Sequence, residues 1–159
     1  MNLGGIDIIE CDIRQIRPLR TRVLRPWFDE GRLLEYEGDD NEDARHFAAI
    51  AIDGQSIIGV VSYLLDPIPI DGESAELRLR GMAISEDLRR RGIGSHLLST
   101  TLMKLAQHHP GERVWASART SVVEFYARHG FEAVGPRFDM PSVGPHQRVV
   151  RDLLPGNAR

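Results

Sequence analysis

The clearest pattern of hydrophobic and polar positions runs through residues 76–107. It opens with alternation, because Leu77 and Leu79 are apolar and their neighbours are charged, which predicts a strand with one buried face. Farther along, apolar positions recur at close to the 3.6-residue period of a helix. These positions are Ile93, Leu97, Leu98, Leu102 and Leu105. A strand, a turn and a long amphipathic helix are therefore predicted in succession.

Shorter patterns on both sides predict six further strands and additional helices. Asp12 is a candidate N-cap for a helix that Pro18 should interrupt or confine to a short segment, since proline lacks the backbone N–H and clashes with the preceding turn. Asp53-Gly54 has the composition of a tight hairpin turn. Residues 66–74 and 138–146 are rich in Pro and Gly and are predicted to be loops. The six strands are predicted at residues 6–9, 46–52, 56–65, 113–117, 131–135 and 148–153.

Size, charge and cysteine content narrow the class of protein. The chain has 159 residues, enough for one sizeable core, and we expect a single domain over residues 1–159. A net charge of −3 at pH 7 favours neither nucleic acid nor an anionic membrane as a partner. Cys11 is the sole cysteine, which excludes an internal disulfide, and residues 1–13 do not resemble a signal peptide. We therefore expect a cytoplasmic protein that binds no nucleic acid and no membrane.

The junction between the central strand and helix, Arg89-Arg90-Arg91-Gly92-Ile93-Gly94, has a composition that suits an anion. A helix N-terminus presents unpaired N–H groups, and glycines such as Gly92 and Gly94 let an anion approach them closely. Each arginine would add charge-assisted donors worth roughly 1.5–3 kcal/mol to a well-placed phosphate. The alternative is a Gly-containing turn with a solvated basic run. Leu97 breaks a G-x-G-x-x-G pattern, and no Gly-Lys-Ser/Thr follows, so two other phosphate loops are excluded.

Two motifs, in this order, resemble those of the GNAT superfamily of N-acetyltransferases. The first is Arg-x-x-Gly-x-Gly, here Arg89, Gly92 and Gly94, which follows a strand and opens a long helix like the family's acetyl-CoA-binding loop. The second is residues 124–135, EFYARHGFEAVG, which resembles the family's late helix and the strand after it. The resemblance covers nearly the whole chain. Residues 144–146, Gly-Pro-His, further resemble a small bacterial-type subgroup in which this tripeptide precedes the last strand.

The resemblance implies a fold and a reaction. The implied α/β fold, that of acyl-CoA N-acyltransferases, has a mixed, mostly antiparallel sheet of six to seven strands, splayed between strands 4 and 5, with about four helices on its two faces. The implied reaction transfers an acetyl group from acetyl-CoA, without a metal, to a primary amine of a small molecule or peptide. A non-catalytic acyl-CoA-binding sensor or regulatory module is the alternative. Dimers are common in the family, so a monomer or a homodimer is expected.

The same resemblance implies which residues bind the cofactor. Backbone groups at residues 82–84 would pair with the pantetheine arm as an added strand would. The loop and the first helical turn would hold the pyrophosphate, and Ser117 or Arg119 would contact the pantetheine. The implied set is Met82, Ala83, Ile84, Arg89, Arg90, Arg91, Gly92, Ile93, Gly94, Ser95, Ser117 and Tyr126.

Tyr126 is the expected general acid, because the family places a tyrosine at this motif position against the sulfur. The alternative is an amphipathic tyrosine at the helix end that packs on the core. A phenol with a pKa of about 10 can protonate a departing thiolate whose conjugate acid has a pKa of about 8.5. Cys11 lies outside both motifs and no nucleophile constellation is evident, so the amine is expected to attack the thioester directly. His146, held by the preceding proline, is one candidate for the base. Glu76 acting through a water is another, and His146 could instead be an acceptor ligand or a surface or structural histidine.

Charged residues give weaker indications of the acceptor. Many family members carry a glutamate base where Arg78 stands, and an arginine there would favour an acceptor with a carboxylate or another anion. Glu76 and Arg78 could equally be neighbouring surface charges. The acidic stretch around Asp39 and Asp40 could instead attract a cationic amine, unless it is a solvated loop. Arg25 lies after the first predicted helix, a region in which the family forms part of its acceptor pocket.

Overall fold

The structure, a computed structural model, describes residues 5–52 and 54–153. The strands are β1 (Ile6–Cys11), β2 (Arg45–Ala51), β3 (Ile57–Ile70), β4 (Glu73–Ile84), β5 (Arg113–Arg119), β6 (Glu132–Met140) and β7 (Gly144–Asp152). The helices are α1 (Ile13–Leu24), α2 (Ile93–His108) and α3 (Val123–Ala127). No helix within the described ranges is long and apolar enough to cross a membrane. Part of the predicted Asp53-Gly54 turn, Asp53, lies outside those ranges.

The seven strands form one mixed sheet in the order β1-β2-β3-β4-β5-β7-β6. The β1–β2, β2–β3, β5–β7 and β6–β7 pairs are antiparallel, whereas β4 and β5 are parallel. The β4–β5 register comprises two residue pairs, Leu77 with Val114 and Arg78 with Trp115, as the expected splay of these strands requires. The predicted α/β fold is confirmed. Its helices number three among the described residues, in place of the expected four or so.

The chain divides into two compact units, each with its own core. The first unit runs to Leu64 and includes Gly81–Thr101, and the second comprises Leu65–Arg80 and the chain from Leu102. In the first unit the buried cluster consists of Ile13, Ile16, Leu19, Ala48, Val60 and Ala83. In the second it consists of Ile70, Ala75, Trp115 and Val150. Burying each large apolar side chain in these cores stabilises the fold by about 1.5–3 kcal/mol. That the chain forms a single domain over residues 1–159 stays a prediction.

Helix α1 continues through Pro18, so the prediction that this proline interrupts it is wrong. The N-terminus is capped as predicted, because the Asp12 carboxylate accepts from the N–H of Arg14 at 2.8 Å. The side chain of Gln15 accepts from the N–H of Asp12 at 3.1 Å, which completes a capping box. Ile16, on the buried face, is 0% exposed. Capping and burial together offset the cost of an internal proline, about 3 kcal/mol.

Residues 66–74, predicted as a loop, are largely strand. β3 extends through Pro67 and Pro69 to Ile70. The register of β2 ends opposite Tyr63, so these prolines remove no ladder hydrogen bonds to β2. Proline is tolerated at such an edge, where its missing N–H costs nothing.

Residues 138–146 form a β-hairpin, contrary to the predicted loop. Three residues of β6 pair with three of β7, in the order Phe138 with His146, Asp139 with Pro145 and Met140 with Gly144. The register shifts between Val134 and Phe138, where Gly135 has a φ of +71°. Of the residues that indicated a loop, Pro141 lies in the turn of the hairpin, whereas Gly144 and Pro145 are paired in β7. His146 therefore lies on a strand.

Candidate active site

The arginine- and glycine-rich junction forms a tight turn between β4 and α2. Ser85, at the end of β4, donates its N–H to the carbonyl of Ile58 at 2.9 Å. The chain then turns through two left-handed residues, Arg90 at φ +63° and Gly92 at φ +82°. Gly92 accepts an α2 hydrogen bond from the N–H of His96 at 3.0 Å. Because glycine adopts a positive φ at no steric cost, Gly92 sets where the helix starts.

This turn makes the N-terminus of α2 suitable for an anion. The N–H groups of Ile93 and Gly94 precede the first intrahelical donor and point out of the helix end, and no acidic residue occupies the first turn. The side chains of residues 89–91 are exposed, as is Ser95 in the first turn. The junction thus combines the positive end of a helix dipole, backbone donors and three guanidinium groups.

Helix α2 is anchored by the apolar positions that the helical pattern predicted. All five are buried, namely Ile93, Leu97, Leu98, Leu102 and Leu105. Ile93 is 1% exposed in the first turn, so that turn cannot rotate without losing core contacts. The backbone donors at the helix N-terminus therefore have a fixed direction.

The last residues of β4 follow a glycine with a left-handed backbone conformation. Gly81 has a φ of +67°, and a Cβ at this position would lie 2.8 Å from Cδ of Arg20. Beyond it, the Ala83 side chain is buried in the core of the first unit, whereas Met82 and Ile84 are half-buried. A positive φ inside a strand re-aims the residues that follow. These three residues remain candidates for pairing with the pantetheine arm.

Tyr126 lies in α3, and its side chain is buried. Phe125 and Phe131 contact its ring edge-on, with centroids 5.4 and 5.3 Å away. Burial raises the pKa of Tyr126 above its ordinary value, because a phenolate here would lose its hydration. Gly130, at φ +84°, turns the chain so that the carbonyl of Tyr126 accepts from the N–H of Phe131 at 3.1 Å. The motif Tyr-x-x-x-Gly-Phe is thus a compact helix end that holds a protonated phenol.

His146 lies on β7 and is 5% exposed. Its Nδ1 is 2.8 Å from the carbonyl oxygen of Gly144. A carbonyl oxygen only accepts, so Nδ1 carries the proton, and Nε2 of the neutral ring holds the lone pair. The ring of Phe138 stacks on the imidazole with centroids 6.0 Å apart. This tautomer leaves Nε2 as the ring nitrogen that can accept a proton, so His146 remains a candidate for the base.

Glu76 and Arg78 both have partners within the second unit. Oε1 of Glu76 accepts from the N–H of Arg113 at 2.9 Å, at the start of β5. Nη1 of Arg78 donates to Oδ2 of Asp66 at 3.2 Å. One Glu76 oxygen is therefore committed to the junction between β4 and β5, which makes His146 the better candidate for the base.

Two residues on the sheet near Ser117 were missed by the sequence reasoning, Trp115 and Arg148. The guanidinium of Arg148 lies 5.2 Å from the centroid of the Trp115 ring. Ser117 pairs with Arg148 in the β5–β7 register, so the two side chains are direct cross-strand neighbours. Trp115 and Ser117 are two residues apart on a strand and therefore lie on one face. This spacing could have predicted from the sequence that Trp115 lies beside Ser117.

Asp39 does not face solvent, contrary to both interpretations of the acidic stretch. Its carboxylate is paired with Arg20 at 2.7 and 3.2 Å, and both side chains are buried. The Asp40 side chain is 83% exposed and remains the candidate for attracting a cationic amine. Across the part of the chain that the structure describes, no three His, Cys, Asp or Glu side chains are grouped so that they could hold a metal ion.

Arg25 lines a surface cavity of about 380 Å³ at the C-terminal end of α1, within the first unit. The other lining residues are Pro18, Thr21, Arg22, Pro26, Phe28, Asp29, Arg32, Leu33 and Glu86. Nη1 of Arg25 donates to the carbonyl of Leu24 at 2.8 Å, and its guanidinium lies 5.7 Å from the ring centroid of Trp27. Arg25 thus remains a candidate for an acceptor contact.

The sequence matches a known protein family over most of its length. The model of the acetyltransferase (GNAT) family matches residues 12–131, a range that contains both motifs. The chain belongs to the GNAT family. As a GNAT protein it is an acyltransferase. It is 30% identical over 148 residues to the uncharacterized N-acetyltransferase YitI of Bacillus subtilis, a match that covers 93% of this chain and 97% of YitI.

Solved structures share the fold of this GNAT protein. Escherichia coli ElaA matches 92% of this chain and 99% of its own, with a TM-score of 0.70 at 21% identity. An acyl-CoA N-acyltransferase from Pseudomonas aeruginosa gives the same coverage and TM-score at 22% identity. An aminoglycoside 6'-N-acetyltransferase complexed with coenzyme A covers 94% of this chain and 98% of its own, with a TM-score of 0.65 at 16% identity. These likenesses show the acyl-CoA N-acyltransferase fold.

Proposed function

We propose that this GNAT protein transfers an acetyl group from acetyl-CoA to a primary amine of a small molecule or peptide. The observation that carries the proposal is the turn into α2, where Gly92 at φ +82° precedes a helix with no acid in its first turn and exposed arginines beside it. Residues 89–95 would hold the pyrophosphate there. Backbone groups at residues 82–84, together with Ser117, would hold the pantetheine arm.

In the proposed reaction the amine nitrogen attacks the thioester carbonyl directly, and a C–N bond forms as the C–S bond breaks. Tyr126 donates its phenolic proton to the departing thiolate. Its burial keeps that proton in place at neutral pH. His146 accepts one proton from the ammonium at Nε2 before the attack and releases it to solvent. The second proton, which the nitrogen loses as the amide forms, returns through solvent to the Tyr126 phenolate before the next turnover.

A base is needed because the acceptor enters the reaction protonated. A lysine-like ammonium with a pKa of about 10.4 is roughly three units from neutrality at pH 7, a cost of about 4 kcal/mol. The Nδ1–H bond to the Gly144 carbonyl leaves Nε2 of His146 as the nitrogen that takes up this proton. Glu76 acting through a water is the second candidate, with one oxygen already held by Arg113.

A free-thiol release assay with acetyl-CoA tests the proposal. The acceptor panel spans polyamines, amino acids, aminoglycosides and peptide N-termini, and Tyr126→Phe is measured beside the wild type. We expect turnover with at least one acceptor. In the variant, kcat should fall by at least about tenfold, which is equivalent to a loss of about 1.4 kcal/mol of transition-state stabilisation or more. Tyr36→Phe, which removes a hydroxyl elsewhere, should keep the wild-type kcat. No turnover with any amine, with CoA still raising the Tm, would instead indicate a non-catalytic acyl-CoA-binding module.

A further inference from the structure

A row of charged and aromatic side chains crosses one face of the sheet in the second unit. Arg78 pairs with Trp115 in the β4–β5 register, and Trp115 pairs with Val150 across β5 and β7. Paired residues point to the same side of a sheet, and alternate residues along a strand share a face. Arg148, two residues before Val150, therefore lies on the face that carries Arg78 and Trp115.

The opposite face of these strands packs against the end of α3. Arg151, adjacent to Val150 and so pointing the other way, donates from Nη1 to the carbonyl of His129 at 2.6 Å. A Cβ at Gly130 would lie 3.5 Å from Cδ of Arg151. The face with Trp115 is thus the one that α3 does not cover.

Two guanidinium groups lie against the indole of Trp115, and their charges are balanced unequally. Arg78 is 4.7 Å from the ring centroid and Arg148 is 5.2 Å from it. The indole is fixed, because its Nε1–H donates to the carbonyl of Asp66 at 2.8 Å. The Asp66 carboxylate also balances Arg78 at 3.2 Å. Within residues 5–52 and 54–153, no carboxylate forms an ion pair with Arg148, whereas the buried Nε lacks a hydrogen-bond partner in Arg148 and Arg78 alike.

A half-buried guanidinium without a counter-charge is unfavourable unless a ligand supplies one. We propose that Arg148 binds the carboxylate of the amine acceptor, so that the acceptor is an amino-carboxylic acid. The planar fork of arginine matches a carboxylate with two parallel hydrogen bonds. This inference rests on the acyl transfer proposed above and specifies its substrate class.

The candidate base lies at a matching distance. His146 is two residues before Arg148 on β7, so the two side chains share a face and their Cα atoms are about 7 Å apart. An acceptor whose carboxylate binds Arg148 would have its nearby amine on the same face of β7 as the His146 side chain. The spacing suits an amine and a carboxylate separated by a few bonds, as in an amino acid.

The kinetic test compares each accepted amino acid with its carboxamide, in which the negative charge is removed. For the wild type we expect kcat/KM for the acid to exceed that for the amide by about tenfold or more. Arg148→Gln should abolish this preference, mainly by raising the KM for the acid, and should change kcat/KM for the amide by about twofold or less. Arg148→Lys, which restores the charge without the fork, should recover part of the preference. Arg137→Gln, an exposed arginine on β6, is the matched control and should behave as wild type.

A binding measurement keeps this inference separate from the proposed reaction. Calorimetry with an N-acetylated amino acid and its carboxamide, the corresponding products, requires no turnover. Tighter binding of the acid by about tenfold, lost in Arg148→Gln, supports the carboxylate site even if no amine is acetylated. Equal binding of acid and amide, absence of binding, or a preference that survives in Arg148→Gln overturns it. Thermal unfolding of each variant verifies that the fold is intact, and Arg148→Met, which also removes the charge, replaces Arg148→Gln if the latter fails to fold.

Discussion

Nη2 of Arg20 lies 2.7 Å from Oδ2 of Asp39, and both side chains are buried. The same nitrogen donates to the carbonyl of Leu34 at 2.6 Å, and the aliphatic part of Arg20 packs on Gly81 in β4. This ion pair therefore joins α1, the segment after it and the end of β4. The residues just beyond Gly81 are those that we propose to bind the pantetheine arm.

Asp39→Asn should lower the free energy of unfolding by about 3–5 kcal/mol, because it leaves the buried guanidinium of Arg20 without a counter-charge. Denaturant titration of the purified protein measures this. Asp40→Asn, one residue along and 83% exposed, is the matched control and should change stability by about 0.5 kcal/mol or less. Similarly small losses in both variants would mean that the buried pair contributes little.

Gly81→Ala should be more destabilising than Gly111→Ala. Both glycines have a positive φ, +67° and +78°, which costs an alanine roughly 1–2 kcal/mol. At Gly111 nothing lies within 4 Å of the added Cβ, whereas at Gly81 it would lie 2.8 Å from Cδ of Arg20. The difference between the two free energies of unfolding thus measures the steric part. Equal losses would show that Arg20 moves aside freely.

The buried His46 should make the protein less stable in mild acid. Its Nε2 is 3.0 Å from the carbonyl oxygen of Asp39, so Nε2 carries a proton, and its Nδ1 is 2.6 Å from Oγ of Ser62, which donates to it when the ring is neutral. Burial lowers the pKa of His46, because the imidazolium would lose its hydration. The unfolded ring, with a pKa of about 6.5, therefore binds a proton before the folded ring does.

Because the unfolded state binds this proton first, acid shifts the equilibrium toward unfolding. Above about pH 7 the His46 ring is neutral in both states and costs no stability. As the pH falls below about 6.5, toward the lower pKa of the folded ring, the free energy of unfolding decreases. Denaturant titrations between about pH 5.5 and 7.5 measure the slope, and His46→Gln should reduce it. Partial burial and Arg151 also lower the pKa of His129, so some slope should remain in that variant. A slope unchanged by His46→Gln would assign the acid sensitivity to other groups.

Arg89→Gln should weaken acetyl-CoA binding by about tenfold or more, since a charge-assisted contact to phosphate contributes roughly 1.5–3 kcal/mol. Calorimetric titration measures the Kd, and raising the salt concentration should reduce the difference between variant and wild type. Arg90→Gly gives a second comparison, because Arg90 has a φ of +63°, which glycine adopts without strain. That variant should weaken binding without lowering the Tm. Arg137→Gln is the control, and a wild-type Kd for Arg89→Gln would exclude its phosphate contact.

The parts of the site that the sequence predicts well are those that depend on neighbours in the chain. The helix periodicity of α2 is confirmed by the burial of Ile93 and Leu97, and Gly92 adopts the positive φ that the turn requires. Gly130 does the same after Tyr126. Each depends on backbone conformation and side-chain spacing within a few residues, which the order of residue types encodes directly.

Contacts between residues far apart in the chain could be established only from the tertiary structure. Nothing near Asp39 distinguishes it from the exposed Asp40; its partner Arg20 is 19 residues away. Pro18 is tolerated because the buried face and caps of α1 offset its cost. His146 lies on a strand because Phe138 of β6 pairs with His146. Arg148 meets Trp115 across two strands. Burial and charge compensation are properties of the assembled sheet and helices, so local sequence patterns predicted the elements but not these partners.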